Sequence, residues 1–89
     1  PSAPEPLWPY IDLNGMLTAM PTGKGSAETY QLALDYLLEA FESGRDYTER
    51  EVNEVLRSRH TFNDPALLRR DLVDRGSLSR DPSGAKYAR

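Results

Sequence analysis

At 89 residues with no cysteine, the chain is long enough for one modest hydrophobic core, and it excludes a disulfide framework, thiol redox chemistry and a cysteine-based zinc site. No apolar run approaches the roughly 20 residues of a membrane span, and no basic region followed by an apolar stretch opens the chain. A cytoplasmic protein with no membrane association is therefore expected. The net charge of −3 is unevenly divided: residues 1–56 carry 3 basic and 10 acidic side chains, residues 57–89 carry 8 and 4. An acidic half joined to a basic half implies internal charge pairing or a basic face turned toward a polyanion.

In chain order, Pro1–Pro6 contains three prolines and predicts a disordered tail over residues 1–6, leaving residues 7–89 as the domain. Leu7–Leu13 and Met16–Met20 flank Asn14-Gly15, whose tolerance of positive φ predicts an N-terminal β-hairpin, with Pro9 confining the first arm to an edge. Pro21–Ser26 is a loop. Its glycines lack the Gly-Lys-Ser/Thr order of a phosphate loop. From Ser26 or Thr29 to about Glu42, Tyr30, Leu34, Leu37, Leu38 and Phe41 fall at i, i+4, i+7, i+8 and i+11, the period of an amphipathic helix. Leu32 and Tyr36 lie off that face and are expected beneath the N-terminal hairpin, the alternative being a partner or dimer surface. Gly44 closes this first and longest helix.

The segment Tyr47–Leu56 carries a complete helix start. Thr48 caps, Glu51 three residues later bonds back, and Tyr47 with Val52 forms the hydrophobic staple. This predicts a second helix over about Glu49–Arg59 that buries Val52, Val55 and Leu56. Thr61–Asp64 forms a turn, with Asp64 as cap and Pro65 at the first helical position of a third helix, about Pro65–Arg75, that buries Leu68, Leu72 and Val73. Gly76 ends it. Leu78 then opens a strand, Asp81-Pro82-Ser83-Gly84 turns, and Ala85-Lys86-Tyr87 returns. Together these elements predict a small α+β winged helix-turn-helix with an N-terminal β-hairpin, three helices and a C-terminal wing hairpin.

In such a fold the start of the last helix approaches base edges while flanking cations neutralise phosphates. Asn63 carries the amide that reads adenine. Arg69 and Arg70 on the third helix, with Arg80 and Lys86 on the wing, complete a candidate DNA-binding set, and one arginine of the pair is expected to bond Glu51 or Glu54 instead. His60 lacks the partners of a catalytic or metal-binding histidine. Glu49/Glu51 and Asp71/Asp74 read as caps and solvated helix faces, and Trp8, Tyr10 and Phe62 as packing residues. No catalytic constellation, cofactor box or metal-ligand spacing stands out, so an enzyme is not expected.

The run Phe41-Glu42-x-Gly44-x-x-Tyr47-Thr48-Glu49-x-Glu51-Val52-Asn53-Glu54-Val55-Leu56 resembles a bacterial domain-of-unknown-function family, number two-zero-eight-seven. Leu68-Arg69-Arg70-x-Leu72-Val73-Asp74 and Leu78-x-Arg80-Asp81-x-x-Gly84-x-x-Tyr87 are similar to later parts of the same pattern, and Asp12-x-x-Gly15-x-Leu17-x-x-x-Pro21 to its start. Members of that family look like winged-helix modules of transcriptional regulators, some after an ArsR-type helix-turn-helix and some fused to acetyltransferase-like domains. The chain departs from the pattern after Pro21, where Thr22-Gly23-Lys24-Gly25-Ser26 replaces a Lys/Arg cluster, and at Tyr87-Ala88, where the family carries an aromatic pair. The resemblance implies a winged-helix fold and a regulatory context and supplies no biochemical activity. Taken with the candidate residues above, the expected function is a DNA-binding transcription-regulator module with double-stranded DNA as partner. The alternative is a winged-helix module that binds a protein partner or dimerises; the net acidity, the apolar Ala66-Leu67 start of the third helix and the spare apolar surface on the long helix favour it.

Overall fold

Proline spacing decides how the chain begins. Pro6 and Pro9 lack the N–H that a strand ladder needs, and the computed structural model, which describes residues 3–89, forms a 3-10 helix over Glu5–Tyr10. Leu7 on this helix is fully buried, Ala3 is buried as well, and Trp8 Nε1 donates to the Ala3 carbonyl at 2.9 Å. Of the residues expected as a tail, Ala3 is buried, Pro4 half-buried, and Glu5 and Pro6 exposed at the start of the 3-10 helix; Pro1 and Ser2 lie outside the described residues.

The expected N-terminal β-hairpin is corrected in its turn as well as in its first arm. Asp12 Oδ1 accepts from the amides of Asn14 and Met16, both at 2.9 Å, and of the two turn residues only Gly15 has positive φ, +79°. A side-chain acceptor closing the loop on itself replaces the paired left-handed turn that Asn-Gly suggested. One antiparallel bridge, Ile11↔Leu17, follows it. Leu17 then lies parallel to His60, its amide donating to Arg59 O at 2.7 Å and its carbonyl accepting from Thr61 N at 2.9 Å. The N-terminal segment is thereby stitched to the connection between the second and third α-helices.

Helix α1 spans Ala27–Leu38 and buries Ala33, Leu34, Tyr36 and Leu37. The Asp12–Gly15 loop covers Tyr36 as expected, and its hydroxyl donates to Gly15 O at 2.6 Å. The helix stops four residues short of the Glu42 suggested by its apolar period. The last carbonyls of a helix have no intrahelical donor, and here a distant cation supplies one: Arg89 Nη1 donates to Leu38 O at 3.3 Å and to Phe41 O at 3.0 Å.

Strand β1 is Asp46–Tyr47, followed at once by α2, Glu49–Arg57. The capping box forms as read: Glu51 N donates to Thr48 Oγ1 at 3.1 Å and Thr48 N to Glu51 Oε1 at 2.9 Å. Helix α3 covers Pro65–Asp74, with Pro65 at its first turn and Asp64 Oδ1 accepting from Leu67 N at 3.2 Å. Strands β2, Ser79–Arg80, and β3, Tyr87–Ala88, form the C-terminal hairpin, and β3 also pairs with β1, giving the antiparallel order β1-β3-β2. The architecture is α+β: the described residues form four helices, counting the 3-10 helix, and one three-stranded sheet.

Leu34 and Leu37 of α1, Val52 and Leu56 of α2, and Leu68 and Leu72 of α3 meet in the core above Tyr47, Leu78 and Tyr87. Each fully buried leucine contributes about 1.5–3 kcal/mol relative to an exposed one. Among the described residues no helix is long and apolar enough to cross a membrane.

Candidate functional site

The position of α3 is fixed from below by a histidine. His60 is buried, its Nδ1 lies 2.6 Å from Leu56 O, and its Nε2 accepts from Asp64 N at 3.0 Å. Since a neutral imidazole has one donor and one acceptor, the proton sits on Nδ1 and the ring ties the end of α2 to the cap of α3. Asn63, immediately before that cap, is exposed and takes φ = +51°, a left-handed conformation that asparagine tolerates better than most residues.

Leu68 and Leu72 face the core, so the helical period turns Ala66, Leu67, Arg70 and Asp74 outward. Arg69 lies at the boundary, with its side chain 20% exposed. Its Nη1 donates to Asn53 Oδ1 at 2.5 Å and its Nη2 lies 3.6 Å from Glu49 Oε1. The same Glu49 oxygen accepts from the Tyr87 hydroxyl at 3.4 Å, so the network joins α3, α2 and β3. The pairing expected with Glu51 or Glu54 does not form. Glu51 is occupied by the capping box and Arg45, and Glu54 by Arg50, whereas Glu49 and Asn53, one turn apart, face α3.

Arg70 is exposed and, among the described residues, makes no ion pair or side-chain hydrogen bond. Arg80 is exposed on β2, with its guanidinium 5.7 Å from the Tyr87 ring centroid. It also lies against the hairpin turn: a Cβ on Gly84 would stand 2.7 Å from Arg80 Nη2. Lys86 Nζ is 3.9 Å from Asp46 Oδ2, an exposed pair. The hairpin turn is held by Asp81 Oδ1, which accepts from the Ser83 hydroxyl at 2.9 Å, Ala85 N at 3.0 Å and Lys86 N at 3.3 Å. The Ser83 hydrogen bond, with those amides, keeps the Asp81 carboxyl below the usual carboxylate range.

Between α3, the start of α2 and the β2–β3 hairpin lies a cleft of about 220 Å³, walled by Glu49, Arg69, Arg70, Asp74, Arg80 and Tyr87. Three of the five residues singled out from the sequence, Arg69, Arg70 and Arg80, therefore converge, while Asn63 and Lys86 lie outside its lining. Sequence reasoning missed Glu49 and Tyr87 as cleft residues. The i, i+4 spacing of Glu49 and Asn53 was the available signal for one, but Tyr87 is brought in by sheet pairing alone. Among the described residues no group of three or more His, Asp or Glu side chains is arranged to hold a metal ion.

Fold and cleft together define a small α+β module whose arginines gather between one helix and a β-hairpin. The chain belongs to the bacterial family described as uncharacterized protein conserved in bacteria (DUF2087), which it matches over residues 16–89. The Asp12–Gly15 loop, similar to the start of the family pattern, lies outside that span. No curated protein and no solved structure matches the chain.

Proposed function

We propose that this domain is a winged helix-turn-helix that binds double-stranded DNA, with α3 in a groove and the β2–β3 hairpin on the adjacent backbone. The observation that carries the reading is the cleft: Arg70 of α3 and Arg80 of β2 both line it, and neither has a carboxylate partner among the described residues. The order α1-β1-α2-α3-β2-β3 and the sheet order β1-β3-β2 support it, because a two-stranded hairpin follows the last helix, as it does in a winged helix. In this reading Arg80 and Lys86 neutralise phosphates, α3 with Asn63 lies nearest the bases, and Arg69 holds α3 in place. A role in bacterial transcription regulation, of the kind the ArsR-type resemblance implies, and a cytoplasmic setting belong to the same proposal.

The module is read as a binder and not an enzyme. The cleft carboxylate Glu49 is already engaged by Arg69 and Tyr87. Fluorescence anisotropy with a mixed-sequence duplex over a salt series tests the proposal. Binding should weaken steeply with salt, and Arg80→Ala should reduce the log–log slope by about 0.9. Absent or salt-independent binding contradicts it.

A second reading, a protein-interaction or dimerisation module, is favoured by the exposed Trp8 and Leu13, which flank Ile11 on an open apolar depression beside the Asp12–Gly15 loop. Exposed apolar groups gathered in one patch are a common feature of contact surfaces. A sedimentation mass that rises with concentration, and stays monomeric in Leu13→Asp, supports this reading. A monomeric wild type at all concentrations removes its dimer form.

A further inference from the structure

The outward face of α3 carries a charge pattern unsuited to phosphate and suited to base edges. Ala66, Arg70 and Asp74 follow one another at i, i+4 and i+8, and all three line the cleft. Leu67 stands beside them, 39% exposed, one of few large apolar side chains turned to solvent. The row thus presents two apolar groups, one guanidinium and one carboxylate. A surface that neutralises phosphates gains nothing from Asp74, which repels them. The major groove, by contrast, displays acceptors, donors and methyl groups side by side. Arginine bonds guanine O6 and N7 in a bidentate manner, aspartate accepts from the cytosine amino group, and small apolar side chains meet the thymine methyl.

We infer that Arg70 is a specificity-determining residue that reads guanine in the major groove and is not a phosphate contact. The inference rests on the DNA reading above. Two observations separate Arg70 from its neighbour: Arg69 is drawn inward by Asn53 and Glu49, whereas the Arg70 fork has no internal partner among the described residues. The labour divides accordingly. Arg80 and Lys86 on the hairpin supply affinity common to all sequences, and the Ala66–Arg70–Asp74 row supplies discrimination.

The test uses the 89-residue protein and its Arg70→Gln variant, an exposed substitution whose fold is checked by its melting curve. Each is incubated with a random-sequence duplex pool at low salt, and the bound duplexes are sequenced. The wild type should enrich guanine at one position. Arg70→Gln should weaken that preference by roughly 10-fold or more and move it toward adenine, the base a glutamine amide pairs with. Because no phosphate contact is removed, the salt slope on a mixed-sequence duplex should be unchanged. A slope lower by about 0.9 with uniformly weaker binding would make Arg70 a phosphate contact. That result, an unaltered guanine preference in the variant, or salt-steep wild-type binding without sequence preference overturns the inference and leaves the DNA reading standing. No binding of any duplex at low salt overturns both.

Discussion

Arg69 and Asn53 are joined across the α2–α3 interface by a 2.5 Å hydrogen bond from the guanidinium to the amide oxygen. The donor is charged and four-fifths shielded from solvent, so its loss leaves Asn53 and Glu49 without their shared partner. Arg69→Ala should therefore destabilise the domain by about 2 kcal/mol. Arg70→Ala, one residue along but exposed, should change stability by less than about 0.5 kcal/mol. Urea denaturation of the two variants measures the contrast, and equal midpoints would contradict the division of roles.

Thr48→Ala removes the cap of α2 and should cost about 1 kcal/mol. The same motif has a pH signature. The Thr48 backbone N–H bonded to the Glu51 carboxylate holds that group below the usual carboxylate range, helped by the Thr48 side chain and Arg45. A lowered folded-state pKa contributes stability that is present above the unfolded carboxylate pKa and is lost as pH falls through the folded value. Acid titration of the wild type and Glu51→Gln should show a shallower acid limb in the variant.

Tyr30 behaves in the opposite sense. Burial, together with the hydrogen bond its hydroxyl donates to Asp71, pushes its pKa up to about 12 from 10.0. The neutral phenol is favoured in the folded state, so its contribution is fully present below pH 10 and is lost as pH rises through about 12. Tyr30→Phe should leave a flatter stability profile over that alkaline window. Spectrophotometric titration of the wild-type tyrosines should find one group ionising late.

How much could be read from the sequence follows the range of the interactions. The Thr48/Glu51 box, the Asp64 cap with Pro65, and the Asp81–Gly84 turn are decided by residues within about four positions, and all three formed as read. The carbonyls at and just past the end of α1 are bonded by Arg89, some fifty residues away, and a 3.6-residue period carries no trace of that contact. Strand β1 is two residues long, too short for alternation to register, and exists because Tyr47 lies opposite Tyr87. The N-terminal arm differs for another reason: Asn-Gly is a local turn signal, whereas Pro9, which lacks the N–H of a ladder, lies inside a 3-10 helix in place of most of the first arm. In the candidate site the three cleft arginines were legible as a basic group, while the partner of Arg69 was not. Choosing among Glu49, Glu51 and Glu54 required knowing which carboxylates α2 had already used.

Gly84 at φ = +75° packs so closely against Arg80 that a methyl group must displace the guanidinium. Gly84→Ala should cost about 1 kcal/mol or more in stability, from the left-handed backbone. It should also shift the amide resonances of Arg80 and Tyr87. A variant as stable as the wild type would contradict the described turn.

In the proposed function α3 and the hairpin form one nucleic-acid face. An NMR titration of isotope-labelled protein with a mixed-sequence duplex at low salt tests it most directly. Amide shifts should be confined to residues 63–75 and 80–86 and should reverse on adding salt. An unchanged spectrum, or shifts centred on Trp8–Gly15, would contradict it.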